Sequence, residues 1–209
     1  MRREVLMVII IVVSTLVIQG GSILLQRMMF DRLTTALMKG DYDEFDRLIE
    51  KKAVKWTIAP FNQDYLKLSR YSLAGETDKI IECYDTFANR RLTYPQAREV
   101  YLSAFDYFLG RGDKQRCQLY RDRINELTSK KDDNLEGIKE IVNDSYDIYL
   151  DHKTDSLERL LQQIEELPET RRGAKEAMIA KIYDLKGDKK KAEEYSKLSE
   201  EHMKAYLKQ

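Results

Sequence analysis

The stretch Asp184-Leu185-Lys186-Gly187-Asp188 decides the fold, because close copies of it recur along the chain. Leu37-Met38-Lys39-Gly40-Asp41, Ser72-Leu73-Ala74-Gly75-Glu76 and Gly110-Arg111-Gly112-Asp113 repeat its pattern, and Leu150-Asp151-His152-Lys153 is a weaker version. Measured between the Gly or His positions the spacings are 35, 37, 40 and 35, a period that belongs to stacked helix pairs. Glycine ends a helix because it enters the left-handed region without a Cβ clash. The acid that follows caps the next helix by accepting from its free N–H groups.

Working outward, Ala36, Tyr71, Phe108, Ile148 and Tyr183 lie four residues before each turn position. Phe45, Ile80, Cys117, Leu157 and Ala192 lie five residues after it. These offsets place both sets at the seam where paired helices cross. Pro60 and Pro95, each 20 residues past a turn glycine, are expected to stop the second helix of a pair, and Pro168 to do so after the fourth. Ser129 to Asn134 is expected to be the loop between the third and fourth pairs. In the last pair, Ala192, Tyr195, Leu198, Met203 and Tyr206 are the expected buried stripe.

Ala180-Lys181-Ile182-Tyr183-Asp184-Leu185-Lys186-Gly187-Asp188-Lys189-Lys190-Lys191-Ala192-Glu193-Glu194-Tyr195 resembles the tetratricopeptide repeat (TPR) family. It carries the family's small residue, aromatic, Gly-Asp turn and second-helix alanine. The resemblance extends over residues 28–209 in more degenerate form, since Phe45, Ile80 and Leu157 replace a small residue and Leu33, Leu68 and Phe105 replace another. It implies an all-α, TPR-like α-solenoid of about five helix pairs that binds protein or peptide. The carboxylate clamp of some family members is not matched. The corresponding inner-face positions here, Asn62, Tyr65 and Ser69, are the candidate protein-binding residues, while Gly40, Gly75, Gly112 and Gly187 are the structural turn residues.

Upstream, Val5 to Leu25 holds no charge, and as a helix it would span roughly 30 Å, the thickness of a bilayer's hydrocarbon core. We expect a tail at 1–4, a single-pass signal-anchor helix at 5–26 and the repeat domain at 27–209. A cleaved signal peptide would use Gly20-Gly21-Ser22, but the apolar run resumes at Ile23-Leu24-Leu25. Arg2 and Arg3 favour an inside N-terminus with the repeats outside the cytoplasm, against Arg27, Arg32 and Lys39 on the far side.

The 36 basic and 36 acidic residues balance to zero net charge, which gives no field for nucleic acid. Cys83 and Cys117 make no disulfide framework, and His152 and His202 follow no metal-ligand spacing. No phosphate-binding, nucleophile-elbow or zinc-protease motif is present. The expectation is therefore a scaffold or adaptor, not an enzyme, with no catalytic residues, cofactor or metal. Its partners would be a protein or peptide, and a lipid bilayer through Val5–Leu25. Such a layout resembles accessory subunits of bacterial envelope and secretion assemblies. The alternative is a cytosol-facing receptor anchored at its N-terminus.

Overall fold

The computed structural model describes residues 23–206, and these are all-helical, with no strand among them. The expected anchor, Val5–Leu25, lies outside the described residues except for its last three. Among the described residues no helix is long and apolar enough to cross a membrane. The chain divides into two compact units, Met1–Arg90 and Arg91–Gln209, and the division falls inside the span 27–209.

The first unit contains α1 (helical over 23–38), α2 (Tyr42–Ile49), α3 (Lys52–Thr57), α4 (Pro60–Ala74) and α5 (Thr77–Ala88). On α1 the buried residues are Met29, Leu33, Ala36 and Leu37, a stripe at helical spacing. They share one core with Phe45, Leu48 and Ile49 of α2, Val54 of α3, Ile58 and Leu66, and Leu25 packs against it. The second helix expected after Gly40 is broken in two. Glu50 caps α2, and Lys51 turns to an extended backbone (φ −63°, ψ 139°) before α3 begins.

The second unit contains α6 (Tyr94–Arg111), α7 (Lys114–Asn125), α8 (Leu135–Tyr149), α9 (Leu157–Glu166), a 3₁₀ turn (Glu169–Arg171), α10 (Gly173–Leu185) and α11 (Lys189–Tyr206). Ala97, Val100, Tyr101, Ala104, Phe105 and Phe108 form the buried stripe of α6. Against it lies Tyr120 of α7, whose ring stacks on Phe108 at 5.8 Å. A second core gathers Ile148, Leu160, Met178, Ile179, Ile182 and Tyr183.

Every turn position of the repeated motif has positive φ: Gly40 (69°), Gly75 (70°), Gly112 (68°), Gly187 (81°) and the non-glycine His152 (55°). At the four glycines the next residue's N–H returns to the carbonyl of Ala36, Tyr71, Phe108 or Tyr183, five positions back. At His152 the loop is one residue wider, with Lys153 N–H reaching the Asp147 carbonyl at 2.9 Å. Asp41, Asp113 and Asp188 cap the next helices, accepting from the N–H of Glu44 (3.0 Å), Arg116 (3.1 Å) and Lys191 (3.1 Å).

Three further expectations need correction. Glu76 makes no side-chain cap; its longer side chain turns back to pair with Arg70 and, at 2.6 Å, with Lys79. Pro60 and Pro95 open helices instead of closing them: they lie in the first turns of α4 and α6, where a missing N–H costs nothing. Met203 is 45% exposed, and the buried side of α11 carries Ser199 in its place. Ala192, Tyr195 and Leu198 are half-buried, and the side chain of Tyr206 is not described.

Candidate functional site

The expected binding residues lie on α4, at positions 62, 65 and 69, and hence along one face of that helix. Asn62 is exposed, while Tyr65 and Ser69 are half-buried. The Tyr65 ring stacks on Phe61 at 5.9 Å, and Phe61 in turn meets Phe87 of α5 at 5.5 Å. The Ser69 hydroxyl donates to the Tyr65 carbonyl at 3.0 Å. The structure thus joins Tyr65 and Ser69 and leaves Asn62 a turn away, facing water. Charge flanks this ledge in fixed pairs: Arg90 with Asp64 at 2.7 Å, and Lys67 with Glu50 at 3.2 Å. Such a face offers apolar area beside hydrogen-bonding groups, the composition of a protein contact surface.

Two other tyrosines, Tyr94 and Tyr42, have polar or charged partners. The Tyr94 hydroxyl donates to Asp132 at 2.6 Å, and Arg98 reaches the same carboxylate at 3.0 Å. This hydrogen bond holds the Asp132 carboxyl below the usual carboxylate range, while desolvation and Asp132 push the Tyr94 phenol up. Tyr42 lies under Arg70.

Arg70 is the hub of the first unit and was not singled out by the sequence. Its side chain is 9% exposed, pairs with Asp46 of α2 at 2.8 Å and with Glu76, and stacks over the rings of Tyr42 and Tyr71 at 5.1 Å each. Guanidinium is suited to this because it is planar and weakly hydrated, so it tolerates burial between aromatic faces. Arg70 ties α2 and the start of α5 to the end of α4.

A second missed cluster joins α10 to α11. Glu176 is 2% exposed, and its carboxylate oxygens lie 2.8 and 3.0 Å from Nδ1 of His202. One turn before His202, the buried Ser199 hydroxyl donates to the Gly173 carbonyl at 2.8 Å. Gly173 permits the approach. A Cβ there would come within 2.7 Å of Met203 Cγ, 3.2 Å of Met203 N and 3.3 Å of Ser199 O. Ser, His and Glu together invite comparison with a nucleophilic triad, but Ser199 gives its proton to a backbone carbonyl, so the serine–histidine contact that such a triad needs is replaced. The cluster is an interhelical clasp. Helical spacing was the available signal: Glu176 shares a face with Ile179 and Tyr183.

Two clefts lie apart from these clusters. An open groove of about 640 Å³ runs between α1 and α2, lined by Leu24, Met28 and Leu48 with Arg27, Arg32 and Glu44 at its edges. A polar pocket of about 540 Å³ lies beside His152, Lys153, Glu158 and Lys186. Among the described residues no group of three or more His, Cys, Asp or Glu side chains could hold a metal ion. The lysine run at the start of α11 is partly engaged: Lys189 pairs with Asp184, and Lys191 lies over the Tyr183 ring at 5.0 Å.

No protein-family model, curated protein or solved structure matches this chain.

Proposed function

We propose that this chain is a membrane-anchored scaffold that binds another protein through TPR-like helix pairs, with the Asn62–Tyr65–Ser69 face of α4 as its contact surface. The observation that carries the reading is the recurrence of one device. At Gly40, Gly75, Gly112 and Gly187 a helix ends on a left-handed residue and the next begins two residues later, and a wider loop around left-handed His152 takes the same place once, at spacings of 35 to 40 residues. Chains built this way present long helical faces rather than a preorganised reactive cleft, and such faces serve recognition. The uncharged run Val5–Leu25 supports attachment to a membrane.

A photo-reactive amino acid at position 62 tests the contact surface. In the membrane fraction it is expected to capture a discrete partner, and the capture should fall when Tyr65 is replaced by Ala. Equal capture from position 38, an exposed residue on α1 outside this face, would overturn the assignment.

The reversed topology, a receptor facing the cytosol, draws on Arg27, Arg32 and Lys39 beyond the apolar run. Reporter fusions at the C-terminus separate the two: an export-dependent reporter should be active if the repeats lie outside the cytoplasm, and inactive if they face it.

A further inference from the structure

Trp56 is the only tryptophan in the chain and it is 87% exposed. It lies on α3, the short helix that breaks the expected pairing, with Lys52 and Lys55 exposed on the same face and no acidic residue in the first turn. A large aromatic ring left in water beside lysines is the composition that proteins place at the boundary between lipid and water.

The geometry of the first unit says which boundary. α1 rises over residues 23–38, about 24 Å of helix. After the Gly40 turn α2 runs back alongside it: Arg32 pairs with Glu44 at 3.6 Å, each six residues from the top of α1, and further along Leu48 lines the same groove as Met28 and Leu24. α3 continues the chain beyond Ile49, and its buried Val54 joins the core that runs from Met29 to Leu37. Asp46 pairs with Arg70 at 2.8 Å and Glu50 with Lys67 at 3.2 Å, so α4 runs antiparallel to α2 and its start at Pro60, just after α3, lies on the side away from the Gly40 turn. The descent over α2 and α3 thus returns the chain to the level at which α1 begins, at the last three residues of the uncharged run. At that level the first turn of α1 is itself apolar and exposed, with Ile23 at 66% and Leu24 at 69%. The opposite end of the hairpin, Met38, is 89% exposed but a full helix length away.

We propose that α3 is a membrane foot: Trp56 sits among the phospholipid headgroups of the bilayer entered by the preceding apolar run, with Lys52 and Lys55 directed at lipid phosphates. This inference rests on the anchoring proposed above. Lys55 is shared with Glu50 at 2.6 Å, so Lys52 carries more of the electrostatic contact. The foot fixes how the first unit stands on the membrane, since a second contact removes its freedom to swing about a single tether.

Because Trp56 is the sole tryptophan, its emission reports the contact without labelling. The full chain is reconstituted into vesicles of phosphatidylcholine and phosphatidylglycerol, with and without lipid brominated along the acyl chains. Flotation after alkaline extraction reads the anchor separately. The expected result is a chain that floats, with blue-shifted Trp56 emission that brominated lipid quenches. Met38→Trp in a Trp56→Phe background should float equally and lose no emission. Lys52→Glu should weaken quenching of Trp56 in the anionic vesicles, by about fivefold in the exposed-to-bound ratio. A floating chain with unquenched Trp56 overturns the foot and leaves the anchor standing. Equal quenching at positions 56 and 38 also overturns it, because the whole unit would then lie on the lipid. Quenching lost on alkaline extraction together with flotation removes the anchor and keeps the foot. A chain that neither floats nor is quenched overturns both.

Discussion

His202 Nδ1 lies 2.8 Å from the carboxylate of Glu176, a residue 26 positions earlier and all but sealed from solvent. The pair closes the base of the last hairpin, where α10 begins and α11 nears its end. Both carboxylate oxygens lie within 3.0 Å of the same ring nitrogen, which makes the histidine the weight-bearing partner. Replacing His202 with Ala should therefore cost about 1.5–3 kcal/mol, the range for a hydrogen bond to a charged group. Glu176→Gln, which keeps an acceptor without a buried charge, should cost less. Urea denaturation of residues 27–209 measures both, and equal losses would show that the charge is not what the clasp satisfies.

Two glycines of the same hairpin should fail in different ways. Gly187 has φ 81° with open space where a Cβ would go, so Gly187→Val acts through backbone strain, about 1–3 kcal/mol. Gly173 is constrained by packing, since an added Cβ meets backbone atoms of α11 at 3.2 and 3.3 Å. Gly173→Ala should cost about 1–3 kcal/mol as overpacking. Trimming Met203 to Ala should relieve it only in part. Hydrogen exchange should show Gly187→Val loosening the turn and Gly173→Ala loosening the far end of both helices. A uniform loss from Asp41 to the C-terminus would instead mean one cooperative globule.

Both cysteines should be slow to react while the chain is folded. Burial pushes the Cys117 thiol up to about 12, and burial with nearby Asp64 and Glu82 pushes Cys83 up to about 11. A raised thiol pKa keeps the unreactive protonated form dominant at neutral pH. Cys83 is only partly covered and should alkylate first as the pH rises; Cys117, fully enclosed with Sγ directed at the Phe105 carbonyl, should wait for unfolding. Mass spectrometry after timed iodoacetamide exposure gives the order. Faster labelling of Cys117 would mean that the α6–α7 seam opens.

Asp113 gives a pH signature. Burial alone would raise its carboxyl, but the Arg116 backbone N–H and guanidinium outweigh that and hold it low. A depressed acid contributes stability above its unfolded pKa of about 3.9, and that contribution disappears as the pH falls through the lower folded value. Asp113→Ala should cost about 1 kcal/mol at neutral pH, the usual worth of an N-cap. Asp113→Asn should keep most of the cap and flatten the acid limb of the stability curve. Thermal unfolding of residues 27–209 between pH 3 and pH 7 compares them, and an unchanged acid limb in Asp113→Asn would assign the pH dependence elsewhere.

The helices, their reversals and the seam residues could be read from the chain because those features are local. A left-handed residue followed by an acid leaves its mark within two positions, and even His152, with no glycine, stood out through its spacing. What escaped was set by partners distant in sequence. Arg70 looks like any surface arginine until Asp46 and two tyrosine rings close on it, and Glu76 reads as a cap until Arg70 claims it. The break at Lys51 carries no proline or glycine, so nothing nearby in the sequence marks it. Tyr65 and Ser69 fall on one face of a single helix by spacing, but the bond from the Ser69 hydroxyl to the Tyr65 carbonyl depends on a rotamer that spacing does not set.

The five reversals also bear on how the chain reaches this structure. None is more than 40 residues from the next, so each hairpin can close on contacts that are near in sequence. Chains dominated by such contacts fold quickly, and hairpins can form one after another from the N-terminus as synthesis proceeds. The first to form would be α1 with α2, beside the apolar run. The clasp of Glu176 and His202, joining residues near the opposite terminus, would be among the last contacts made.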